Sequence, residues 1–147
     1  MALTTIKAEV RKKEGLAAVG QAGEHKVNID EPIEMGGTDT GMNPMEMILC
    51  GLGGCQTIAA SMFADKFRID LQEYRVELEG DIDLDGIMGV EGVRPGFQTV
   101  RYNVYIKSDA SQEKAEKFIE FIEKICPVGD TLANLVKLER SNIIVEN

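Results

Sequence analysis

The sequence predicts an α+β fold with a mainly antiparallel sheet. Three observations carry that prediction: apolar and polar residues alternate in several short runs, one stretch from 44 to 67 is apolar almost all round, and one later stretch is amphipathic at helical spacing. At 147 residues the chain is the size of one domain, expected to span 1–147.

Ile6, Ala8 and Val10 alternate with polar residues and read as a half-buried strand. "RKKEG" turns the chain, Leu16 to Val19 suits a second strand, "GQAGE" turns it again, and His25 to Ile29 makes a third. A glycine-rich loop, "EPIEMGGTDTGMNP", follows; it lacks the Gly-Lys-Ser/Thr of a phosphate-binding loop. Asn43 suits an N-cap, Pro44 the first helical position and Glu46 the reciprocal partner of a capping box, so a helix is expected to start at 44. Because this helix is apolar on every face, it is expected to be buried on all sides. Gly53 and Gly54 each cost about 1 kcal/mol relative to alanine in a helix interior, which predicts a break there and a second helix starting at Cys55.

Tyr74, Val76 and Leu78 alternate, as do Val100, Tyr102, Val104 and Ile106, predicting two more strands joined by a long connection. Asp109 with Gln112 reads as a helix start, and Ala115, Phe118, Ile122 and Ile125 give one apolar face. "CPVGD" ends this helix, "TLANLVKL" suits a short further helix, and Ile143 to Val145 a closing strand.

Composition narrows the function classes. The net charge of −9 disfavours nucleic acid and anionic membranes as partners. No run of uninterrupted apolar residues reaches spanning length, and "MALTTIKAEVRKKEG" has no apolar signal region, so a cytoplasmic location is expected and no membrane. Asp81, Asp83, Asp85 and Gly86 open like a calcium loop, but Gly92 stands where the bidentate Glu belongs; a solvated acidic turn is the better reading. With one histidine, His25, and no C-x-x-C, neither a metal site nor a cofactor is expected.

The three cysteines are therefore filler or chemistry. Cys50 lies within the apolar helix and reads as core. A break at the glycines would set Cys55 at a helix N-terminus, where unpaired N–H groups and the macrodipole favour a thiolate. The competing reading is that both glycines only permit close packing and Cys55 fills space. Cys126, before Pro127 at a helix end, is expected near the surface, and one thiol at a helix start with another at a helix end suits a reactive and resolving pair.

"NPMEMILCGLGGC" together with "CPV" resembles the osmotically induced and organic hydroperoxide resistance proteins, the OsmC/Ohr family, over nearly the whole chain. The resemblance implies antiparallel sheets wrapped around a buried central helix in an intertwined homodimer. It implies a thiol peroxidase, with Cys55 attacking the peroxide, Cys126 resolving, and a small dithiol or redox protein as reductant. An organic hydroperoxide is the implied substrate, and Met45, Met47, Ile48 and Met62 would favour alkyl over hydrogen peroxide. The chain departs from the family at two places: the acid expected directly after Asn-Pro is Met45, with Glu46 one later, and the position of the thiolate-pairing arginine matches Leu16, with Arg11 the arginine nearby. These departures support a second reading, a non-enzymatic dimeric module that binds a small apolar ligand, or a redox-responsive protein with little peroxidase activity.

Overall fold

The N-terminal meander forms as its alternation predicts. In the computed structural model, which describes residues 2–146, β1 (Glu9–Lys12), β2 (Ala18–Ala22) and β3 (His25–Ile29) pair antiparallel in that order. Met1 and Asn147, the ends of the expected domain, lie outside the described residues. Ile6 and Ala8 precede the first strand rather than joining it, because pairing with β2 begins only at Glu9, opposite Gln21.

Asp30 ends β3 and organises the glycine-rich loop. It is 2% exposed, and no salt bridge holds it among the described residues. Its carboxylate instead accepts hydrogen bonds from the Thr38 hydroxyl (2.6 Å) and N–H (3.1 Å), the Glu31 N–H (2.8 Å), and the Thr40 hydroxyl (2.9 Å) and N–H (3.2 Å). Led by the Thr38 hydroxyl, these donors hold the carboxyl far below its usual range although burial opposes them. The loop closes so tightly that a Cβ on Gly37 would fall 1.9 Å from the Glu31 carbonyl oxygen.

Helix α1 (Pro44–Phe63) starts at the expected residue. Its capping box is complete: the Glu46 N–H donates to Asn43 Oδ1 and the Asn43 N–H to Glu46 Oε2, both at 2.9 Å. The expected break at Gly53–Gly54 does not occur, and α1 runs unbroken for 20 residues. Gly53 lies against β4, where an added Cβ would come within 2.9 Å of Leu78 Cδ1, whereas nothing lies within 4 Å of a Cβ on Gly54. Packing against the sheet thus outweighs the poor helix propensity, which is the close-packing reading for Gly53.

Contacts divide the chain into two units, residues 1–50 and 51–147, and α1 contributes to both. In the second unit, β4 (Leu71–Asp81) pairs antiparallel with β5 (Thr99–Ser108). The register Tyr74↔Ile106, Val76↔Val104 and Leu78↔Tyr102 turns both predicted apolar sets to one face. That face, the later part of α1 and α3 (Gln112–Ile125) enclose a core of Ala59, Ala60, Ala64, Ile69, Tyr74, Phe118 and Ile122. The rings of Phe67 and Phe118 sit 5.1 Å apart and those of Phe63 and Phe121 5.2 Å apart.

Several local expectations are corrected. The acidic "DIDLDG" run leads into a short helix, α2 (Leu84–Ile87), with the Asp83 carboxylate accepting from the Asp85 N–H at 3.0 Å. Ser111, not Asp109, caps α3; Asp109 accepts from the Asp70 N–H at 2.9 Å and so ties the strand start to the helix start. A further helix, α4 (Pro127–Ala133), follows directly. Ile143 to Val145 form no strand: they are exposed, and no other segment of the described chain pairs with them.

Nor is α1 buried on all sides within one chain. Leu52, Gly53, Gln56, Ala59 and Ala60 are buried, while Ile58 and Met62 are 64% and 70% exposed. By length and composition alone α1 is apolar enough to cross a membrane, a test that the core helix of a soluble protein also passes. Its buried side packs into the core of the second unit.

Candidate active site

The two thiols singled out from the sequence meet, though not by the expected geometry. Cys55 is the twelfth residue of the unbroken α1, so its own amide belongs to the helix interior rather than to a helix N-terminus. Cys126 occupies the position expected of Cys55. It ends α3 and caps α4, where its sulfur accepts the Gly129 N–H at 3.3 Å. It is 1% exposed rather than near the surface, because α4 folds back over it and brings Gly129 against both Cys126 Sγ and Leu52.

Burial pushes the Cys126 thiol up. The Gly129 N–H works against that rise, and the Cys55 thiol, within hydrogen-bonding reach of Cys126, adds to it. Both thiols are free, and no disulfide joins them. Cys55 is half-buried, so it is the more accessible member of the pair. Cys50, expected in the core, is exposed within the chain, with its sulfur 3.5 Å from Met42 Sδ.

The remaining residues expected at the site have local partners. Glu46 spends its carboxylate on the α1 capping box. Arg11 pairs with Glu9 two residues earlier on the exposed β1, and Leu16, at the position of the family arginine, is exposed. Glu46, Arg11 and Leu16 belong to the first unit, and the thiol pair to the second. Among the described residues, no group of three or more His, Cys, Asp or Glu side chains is placed to hold a metal ion.

Sequence reasoning missed a set of polar groups in the second unit. The Tyr102 hydroxyl donates to Glu123 Oε1 at 3.0 Å, and the Gln56 side chain lies near the same phenol. Burial pushes Tyr74 up to about 12, with smaller contributions from the Glu123 carboxylate, the Tyr102 phenol and the Cys126 sulfur. Burial, then Glu123, raises Tyr102 as well. One signal could have pointed there: Gln56 is a polar residue inside an apolar helix, immediately after the cysteine of interest.

The fold and this thiol pair define a class: an α+β protein that holds two cysteines within reach of each other between a long apolar helix and the end of an amphipathic one. The chain belongs to the OsmC-like protein family, whose model matches residues 37–141. It is 26% identical over 136 residues to an uncharacterized protein of Haloferax volcanii, covering 88% of this chain and 89% of that one. It is also 26% identical over 102 residues to the hydroperoxide reductase of Mycoplasma pneumoniae, covering 69% and 70%. The crystal structure of an OsmC-like protein from Mycoplasma pneumoniae superposes with a TM-score of 0.79 at 20% identity, covering 90% of this chain and 89% of that chain. That likeness establishes the α+β, OsmC-like fold.

Proposed function

We propose that this protein is a thiol-dependent peroxidase that reduces organic hydroperoxides, with Cys55 as the attacking thiol and Cys126 as the resolving one. The observation that carries this reading is the approach of the Cys55 thiol to a buried Cys126 whose sulfur is already held by the Gly129 N–H. The half-buried Cys55 is the sulfur a peroxide can reach, while Cys126 waits beneath it with its proton. In the first step Cys55 takes the distal peroxide oxygen, the O–O bond breaks and an alcohol leaves. In the second, Cys126 displaces the oxygen as water and a disulfide forms. A small dithiol or redox protein then returns both thiols. Resemblance to a protein named hydroperoxide reductase supports the same chemistry. The test follows thiol loss after one equivalent of cumene hydroperoxide or hydrogen peroxide. The reading predicts faster loss with the organic peroxide; equal or slower loss would remove the claimed preference.

The working form is a homodimer. Ile58 and Met62 on α1 and Leu135, Leu138, Ile143, Ile144 and Val145 beyond α4 are all exposed in one chain, more apolar surface than a soluble monomer ordinarily leaves open. A second copy covering them would also supply the pairing partner that Ile143 to Val145 lack. Sedimentation at micromolar concentration is expected to give a dimer, and a folded, stable monomer would overturn this. The same exposed apolar residues favour the alternative, a module that binds a small apolar ligand. Three thiols of ordinary, equal reactivity toward a chromogenic disulfide would support that alternative instead.

A further inference from the structure

Away from the paired thiols, a second couple of sulfurs meets at the surface of the first unit. Cys50 Sγ lies 3.5 Å from Met42 Sδ, and both residues are exposed in the chain, Met42 at 43%. Cysteine and methionine ordinarily pack inside, and in water a contact from S–H to a thioether is a weak hydrogen bond that holds little together. The backbone nevertheless fixes this meeting from both sides. Met42 bridges to Ile29, and its carbonyl accepts the Asp30 N–H at 3.3 Å. The residue before it has no room for a side chain, because a Cβ on Gly41 would fall 2.3 Å from the Asn28 carbonyl oxygen. The residue after it, Asn43, is locked into the capping box of α1, in which Cys50 is the seventh residue. Two sulfur atoms from two elements thus converge, uncovered, on a fixed frame.

We propose that Cys50 and Met42 form a surface site for a soft monovalent cation of the copper(I) class, separate from the peroxide chemistry of Cys55 and Cys126. Thiolate and thioether sulfur select copper(I) over hard cations. Zinc wants four ligands, and among the described residues no three His, Cys, Asp or Glu side chains converge to supply them. With metal–sulfur bonds of about 2.3 Å, sulfurs 3.5 Å apart subtend roughly 100° at the metal. That bent arrangement leaves the outward side open, so the ion exchanges with thiols in solution instead of being sealed in. Binding forms one metal–sulfur bond to each side chain and releases the Cys50 proton to solvent. The thiolate charge cancels that of the ion, and nothing is oxidised or reduced. Met42 is what separates this site from a solitary surface thiol.

The test follows copper and needs no peroxide. Cys55→Ser breaks the other thiol pair and serves as the starting protein, with its methionine methyl groups labelled with carbon-13. Copper(I) is offered without oxygen as its coloured bathocuproine disulfonate complex. One equivalent is expected to pass to the protein and bleach that colour, and to shift the Met42 methyl resonance, which is assigned by its absence in Met42→Leu. Adding Cys50→Ser is expected to abolish the transfer, and adding Met42→Leu to weaken binding at least about tenfold. Leucine matches methionine in volume and the position is exposed, so the fold is kept. Copper that stays with the chelator, transfer that survives Cys50→Ser, an unmoved Met42 methyl, or equal affinity in Met42→Leu would each overturn the site.

Discussion

Cys55→Ser is expected to abolish hydroperoxide-driven thiol loss, lowering its rate by at least about a thousandfold, because it removes the group that forms the covalent intermediate. A serine hydroxyl at the same place cannot accept the peroxide oxygen. Cys126→Ser is expected to behave differently. Cys55 still reacts, but the product stops at the sulfenic acid and loses its buried partner. Cys50→Ser changes neither step, since that thiol is exposed and its sulfur neighbour is Met42. Thiol titration and a sulfenic-acid trap separate the three outcomes. Thiol loss at the wild-type rate in Cys55→Ser would remove Cys55 as the nucleophile.

The second large effect is on the frame that holds Cys126. Phe118 is 0% exposed, sits 5.1 Å from the Phe67 ring and packs with Ile122 in the core, one face of the helix that ends at Cys126. Phe118→Ala removes that ring and leaves a cavity in the cluster that also holds Ala60, Ile69 and Tyr74. The expected cost is about 3–5 kcal/mol, a large share of the roughly 5–15 kcal/mol that stabilises a typical domain. Urea unfolding is expected to show a lower midpoint with little change in slope. A loss below about 1 kcal/mol would mean that Phe118 does not anchor the core.

What could be read from the residues was local. Asn43, Pro44 and Glu46 set the start of α1 to the residue, because capping depends on side chains within four positions. The alternation in 74–78 and 100–106 located both long strands, because one face of each is covered. What could not be read depends on distant partners. The two glycines predicted a break from propensity alone, yet the fit of Gly53 against Leu78 keeps the helix whole. Ser111 took the capping role from Asp109 because Asp109 is engaged by the Asp70 amide, far away in sequence. Cys126 was expected near the surface, as helix ends commonly are, but α4 turns back and seals it. The hydrogen bond from Tyr102 to Glu123 joins β5 to α3, 21 residues apart, and no spacing rule announces it. The thiol pair itself was legible through the resemblance, while the helix terminus that serves it belongs to the other cysteine.

The most direct test of the pairing of Cys55 with Cys126 is peptide mapping by mass spectrometry after one equivalent of cumene hydroperoxide. The account predicts one new disulfide, between the peptides carrying Cys55 and Cys126, with Cys50 still a free thiol. Oxidation confined to Cys50, or a Cys55 that oxidises without ever joining Cys126, would contradict it.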